Sequence, residues 1–176
     1  MKTDTFKAHE VVADTIFPFQ GEFLVRVFRA DGSVEEKVLK NVVTRAGLNR
    51  IAARAVTAAG NSVFYVLGVG TQTAAHSLDS AQGGVGEMLR KTSNFTGAAA
   101  QSREWIFLQA TIGGASDGMT GIVLDSVFMT DFPTSSNASG IVAAVTNGMG
   151  VTLAGSDLLD VTYRIRVGSH NLSQST

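Results

Sequence analysis

The sequence predicts a mainly β fold: an antiparallel β-sandwich, jelly-roll-like, with one α-helix at about residues 45–59 packed on it. Three observations carry this expectation. Apolar and polar residues alternate through several short runs, the period of a half-buried strand. Clusters of Gly, Ser and Asn separate those runs, whereas a parallel sheet would need helices between its strands. One stretch alone switches to helical spacing. A chain of 176 residues, 44% of them hydrophobic, is long enough for one domain with a substantial core. No internal repeat or linker divides it, so the expected organisation is an N-terminal arm over residues 1–20 and a single β-rich domain over 21–176.

The elements follow in chain order. Residues 1–20 carry Phe6, Phe17, Pro18 and Phe19 without a sustained period. Such terminal segments need a partner surface to hold them, which makes Phe6, Phe17 and Phe19 the candidate assembly contacts. A hairpin comes next. Phe23, Val25 and Val27 alternate against Leu24, Arg26 and Phe28, a second run spans Val34 to Lys40, and Asp31-Gly32 between them supplies the turn. Leu48, Ile51, Ala52, Ala55 and Val56 then fall on one helical stripe, with Thr44 as N-cap and Gly60-Asn61 as the stop. Further strands are expected over Ser62–Val69, Trp105–Ile112, Ile122–Met129 and Ile141–Thr146. The clearest is 158–167, where Val161, Tyr163, Ile165 and Val167 face one way and Asp160, Thr162, Arg164 and Arg166 the other.

Composition excludes several classes. The net charge of −1 gives no general attraction to nucleic acid or anionic lipid. There is no cysteine, hence neither a disulfide framework nor a thiolate metal site. No apolar run approaches the ~18 residues of a membrane span, and the N-terminal stretch lacks the continuous apolar core of a signal peptide; the expectation is a product made and used in the cytoplasm. Charged residues are only 16% of the chain, against roughly 25% in an average soluble domain, in keeping with a surface partly covered by protein. Six acidic residues and no Lys or Arg lie between Glu104 and Tyr163, while Arg45, Arg50 and Arg54 cluster earlier. This reads as two solvated faces or as charge complementarity between neighbouring copies.

Catalytic patterns fare poorly. Gly114-Ala115-Ser116-Asp117-Gly118 matches G-x-S-x-G, with Asp125 or Asp131 and then His170 in triad order. That chemistry needs a strand, a sharp turn and a helix, and the sequel Met119-Thr120-Gly121-Ile122-Val123 predicts loop and strand instead. A turn is the better reading. Gly68-Val69-Gly70 lacks the third glycine and the following helix of a dinucleotide site. His9, His76 and His170 are isolated from one another, and Asp117, Asp125 and Asp131 lack the spacing of a calcium loop. Trp105 and the ten phenylalanines, with no basic residues interleaved, predict core rather than a base-stacking platform. No cofactor and no metal is expected.

One pattern is more specific. Lys40-Asn41-Val42-Val43-Thr44-Arg45-Ala46-Gly47-Leu48-Asn49 leads into the helix, then a strand ends in Leu67-Gly68-Val69-Gly70-Thr71-Gln72-Thr73-Ala74-Ala75, and Glu87-Met88-Leu89-Arg90-Lys91 follows. This order, over about residues 22–168, resembles small tailed-bacteriophage virion proteins, which share a helix entry, a glycine-threonine loop and an acidic-to-arginine segment of this kind. The glycine-rich Gln82-Gly83-Gly84-Val85-Gly86 departs from it, where a tighter turn is expected. The resemblance implies a non-enzymatic structural protein of the virion, assembled in the bacterial host cytoplasm. A capsid decoration or cement protein acting as a homo-oligomer on the major capsid protein or other virion proteins leads; a tail, neck, baseplate or fibre-anchoring protein is the alternative, with a carbohydrate-binding module, another use of jelly rolls, behind both. Neither nucleic acid nor membrane is an expected partner.

Overall fold

The computed structural model describes residues 20–56, 66–77, 79, 85–93, 105–131 and 141–166, with the backbone alone at 20, 51–56, 105–107 and 165–166. Phe6, Phe17 and Phe19, like His9 and His170, lie outside the described residues.

Two antiparallel sheets face each other. The four-stranded sheet runs in the order β2 (Val34–Lys40), β1 (Gln20–Phe28), β11 (Leu158–Arg166), β6 (Trp105–Gly113). The five-stranded sheet runs β3 (Val42–Val43), β9 (Val142–Thr146), β8 (Ser126–Thr130), β4 (Val66–Gly70), β5 (Glu87–Thr92). The short strands β7 (Val123–Leu124) and β10 (Val151–Thr152) pair across one end. The pairs β1·β11, β3·β9 and β4·β8 nest inside one another along the chain, the wrapping of a rolled β-sandwich. The sandwich class expected from the alternation is the class found.

One apolar cluster fills the space between the sheets. Phe23, Val25 and Val27 of β1, Leu159, Val161 and Tyr163 of β11, and Leu108, Ala110 and Ile112 of β6 meet Leu67, Val69, Val127, Met129 and Ala144 of the opposite sheet. The period-2 pattern read along β1 and β11 therefore points Phe23, Val25, Val27, Val161 and Tyr163 inward as predicted; Val167 and the side chain of Ile165 lie outside the described residues. Phe23 and Tyr163, paired across the two strands, meet in a tilted ring contact with centroids 4.6 Å apart and planes at 44°. Met119, Leu124, Met149, Val151 and Leu153 close the end near β7 and β10.

The hairpin turn is Ala30-Asp31-Gly32. Gly32 N–H donates to Arg29 C=O at 3.0 Å, Arg29 N–H donates to Ser33 C=O at 2.9 Å, and Gly32 has φ +85°. That conformation is left-handed, and glycine reaches it without the Cβ clash of other residues.

The helix α1 spans Arg45–Val56. Thr44 caps it, its Oγ1 accepting from Gly47 N–H at 3.0 Å while donating to the Val142 carbonyl of β9. Thr44 thus joins helix start to sheet edge, and Thr44→Ala is expected to cost about 1 kcal/mol or somewhat more in denaturant unfolding. This seating sets the helix rotation. Gly47 lies on the backbone of Ala143 with no room for a Cβ, and Arg50 reaches Asp131 at 2.6 Å. Leu48, one step further round, is 38% exposed. The expected apolar stripe is corrected there, because the cap and the glycine, not Leu48, choose the face that meets β9. The side chains from Ile51 to Val56 lie outside the described residues.

Candidate functional site

The outer faces of the two sheets differ. On the five-stranded sheet, β4, β8 and β9 are buried along their whole length. Val85, Phe128, Val142 and Val145 form a second apolar cluster there. Gly68 lies beneath the Phe128 ring, where a Cβ would overlap it. Arg90 of β5 sits over that ring, 5.9 Å from its centroid, and forks onto Glu87 through Nε–Oε1 at 2.6 Å and Nη2–Oε2 at 2.8 Å. Burial raises the Glu87 carboxyl above its usual range, against the pull of Arg90. This is the covered sheet.

On the four-stranded sheet the outer face is only partly enclosed: Leu24 and Asp160 are buried, whereas Phe28, Val34, Val38 and Leu158 are exposed, and we call it the open sheet. Register places its outward side chains in rows. Phe28 stands opposite Val34 on one side and Leu158 on the other. The three are 41%, 54% and 46% exposed, large apolar groups side by side. Opposed residues of a sheet have Cβ atoms about 5 Å apart, so these make one continuous patch. The next row is charged: Glu36 accepts from Arg26 at 2.7 Å, and Asp160 accepts from Gln109 at 2.7 Å. Leu24 and Val38 face each other in the third row, and Glu22, Lys40 and Arg164 make the fourth, with Arg164 paired to Glu22.

The apolar row stands on a fixed base. Asp157 accepts from Ala154 N–H at 2.9 Å, from Arg29 Nη1 at 2.8 Å and from Ala30 N–H at 3.2 Å. Arg29 also donates to Thr152 C=O at 2.7 Å and Glu35 at 2.8 Å. The Ala154 amide first, then Arg29, hold the Asp157 carboxyl below its usual range. This anchor is in force above the ordinary carboxylate pKa of about 4 and is lost as pH falls through the lowered value.

The residues of the catalytic pattern are not brought together. Gly114–Gly118 forms a turn, with Gly114 N–H bonded to Asp157 C=O and Ala115 N–H to Gly155 C=O, both at 2.9 Å, and Thr120 then bridges to Leu153. No helix follows Ser116 among the described residues. Burial would raise Asp117, but Lys91 at 2.6 Å and the Gly113 N–H outweigh it and hold the carboxyl low. Asp125 accepts from Gly148 and Gly150 N–H at 3.1 and 3.0 Å. Asp131 binds Arg50 and Ile141 N–H. Each carboxylate serves a different part of the fold, and no group of three metal-ligating side chains occurs among the described residues. Among them, too, no helix is long and apolar enough to cross a membrane.

No family model, curated protein or solved structure matches the chain. The motif residues behind the family resemblance do have roles in the fold. Asn41 donates to the buried Tyr163 hydroxyl at 3.2 Å, Thr44 and Gly47 seat the helix, and Gly68 admits Phe128. Thr71 N–H donates to Gly86 C=O at 2.9 Å and Ser126 Oγ to Val85 C=O at 2.6 Å, tying the glycine-rich segment to the covered sheet. In each case the residue builds architecture.

Proposed function

We propose that this chain is a non-enzymatic structural protein of a tailed-bacteriophage virion, a capsid decoration or cement protein that stabilises the particle through contacts with the major capsid protein or other virion proteins. The observation that carries the reading is the row Val34-Phe28-Leu158 on the open sheet. An antiparallel sheet with one solvated face ordinarily turns polar side chains outward. Three large apolar groups placed side by side there, on a base fixed by Arg29 and Asp157, suit a rigid contact with another protein, whose ring-filling pockets carry most of the energy of such interfaces. The architectural roles of Asn41, Thr44, Gly47 and Gly68 support the same reading, since a resemblance resting on them is one of fold and assembly.

The test is binding to particles. Purified chain added to virions or heads that lack it is expected to bind at regular positions on the head in cryo-EM maps, and Phe28→Asp with Leu158→Asp is expected to abolish that binding. Both side chains are substantially exposed, so the double variant should unfold within about 1 kcal/mol of the parent. Binding that survives the double substitution would overturn the assignment of this face. Density on the tail or baseplate would favour the tail alternative, and no particle binding would overturn the virion reading.

A further inference from the structure

We infer that the free edge of β2 pairs with β2 of a second copy across a two-fold axis, joining two open sheets into one. This adds a contact between copies to the function proposed above, and it rests on that reading only for its setting in a particle. The hairpin bonds decide which backbone groups are free. Arg29 N–H donates to Ser33 C=O, so by the alternation of an antiparallel ladder residues 35, 37 and 39 turn their N–H and C=O groups toward β1. Val34, Glu36, Val38 and Lys40 turn theirs to the open edge. The side chains from Val34 to Val38, and that of Lys40, are all exposed, and among the described residues no strand pairs with that edge.

An exposed edge is usually guarded by charge. Here the charges are self-complementary in one register. With Val38 on the two-fold axis, Val38 faces its own copy and Glu36 faces Lys40 of the partner, twice by symmetry. The free groups of Glu36, Val38 and Lys40 then bond across the seam. The rows of the two sheets become continuous. One reads Asp160, Arg26, Glu36, then Lys40, Glu22 and Arg164 of the second copy, alternating in sign throughout. The adjoining row places Leu24 and Val38 against Val38 and Leu24, with Val38 50% exposed in the single chain. Sliding by one step of the ladder sets Glu36 against Val38 and Val34 against Lys40; sliding by two sets Glu36 against Glu36. Opposed unlike charges and apolar pairs stabilise a ladder, and opposed like charges weaken it. Among the described residues Lys40 makes no ion pair within its own chain, so the partner's Glu36 gives it one.

One short edge buries less than a standard interface, so the association is concentration-dependent, and sedimentation velocity of the full chain over a concentration series measures it. The wild type is expected to shift from monomer to dimer. Val38→Pro removes an N–H that β1 does not use, so it should keep the fold by circular dichroism while weakening dimerisation at least about tenfold. Glu36→Lys and Lys40→Glu should each be monomeric alone and form a heterodimer when mixed, because the mixture restores both unlike pairs. A wild type that stays monomeric, or a folded Val38→Pro chain that dimerises like the wild type, would overturn the edge pairing. A mixture of the two charge variants that stays monomeric would overturn the register. None of these results depends on particle binding, which the Phe28 and Leu158 variants measure separately.

Discussion

Replacing Phe128 with alanine is expected to lower the stability of the domain by about 3–5 kcal/mol, the range for removing a buried aromatic ring. The ring is fully buried, rests on Gly68 where no Cβ could fit, and has Arg90 above it. None of these neighbours can collapse into the space, since β4 and β5 are held in the sheet on both sides of Gly68. For a domain of this size each kcal/mol corresponds to roughly 2–4 °C, so Tm should fall by about 10 °C. Denaturant unfolding is the check: the midpoint should move with an unchanged slope. A loss below about 1 kcal/mol would mean that the covered sheet is not enclosed as described.

Arg90→Met is the second large effect, and its mark is pH dependence. The side chains of Arg90 and Glu87 are 0% and 4% exposed. Removing the guanidinium leaves a buried carboxylate without its fork, which costs about 3–5 kcal/mol near neutral pH. Burial already raises Glu87 and Arg90 opposes that rise, so in the variant the carboxyl rises further. A carboxyl whose folded pKa lies above its unfolded value destabilises most at pH above the folded value. The penalty is relieved as pH falls through that value toward the unfolded one, about 4.3. The loss relative to wild type should therefore be largest at pH 7–8 and smaller at pH 5. Adding Glu87→Gln should recover much of the stability and flatten the difference. A loss independent of pH would show that Arg90 acts through packing on Phe128 alone.

The parts of the fold that were legible are those where one face is apolar and the other polar. β1 and β11 follow that rule. β2 does not, its inner set being Glu35, Lys37 and Leu39, and it was legible only from the Asp31-Gly32 turn that joins it to β1, as the helix start was from Thr44. β5 does not follow it either. In Glu87-Met88-Leu89-Arg90-Lys91-Thr92 the charged Glu87 and Arg90 are enclosed by the covering layer while Met88 is 40% exposed, so no amphipathic pattern marked the strand. The run Ile122–Met129, read as one strand, is two, because Asp125 turns aside to hold the 148–150 backbone. The two-residue strands β3 and β10 are too short to show a period.

The charge blocks taught a similar lesson. The acidic stretch after Glu104 and the earlier basic residues suggested solvated faces or contacts between copies. In the fold much of that asymmetry closes within the chain: Arg29 meets Asp157, Arg50 meets Asp131 and Lys91 meets Asp117. As for the candidate surface, Phe28 was visible on the outer set of β1. Its neighbour Leu158 was not, because the register between β1 and β11 depends on packing across the sandwich and leaves no trace in either strand alone.

That pairing also governs when the molecule can become itself. Arg29 and Asp157, linked across the end of β1 and β11, stand 128 positions apart in the chain. During synthesis the β1–β2 hairpin leaves the ribosome long before the strand that must lie beside it exists. Until β11 arrives, Phe23, Val25 and Val27 have only half of their sheet, and the inner edge of β1 stays unpaired. Contacts of such long range make for slow folding and for intermediates with open edges. A nascent chain stopped anywhere short of Leu158 should thus be a client for chaperones rather than a smaller version of the domain.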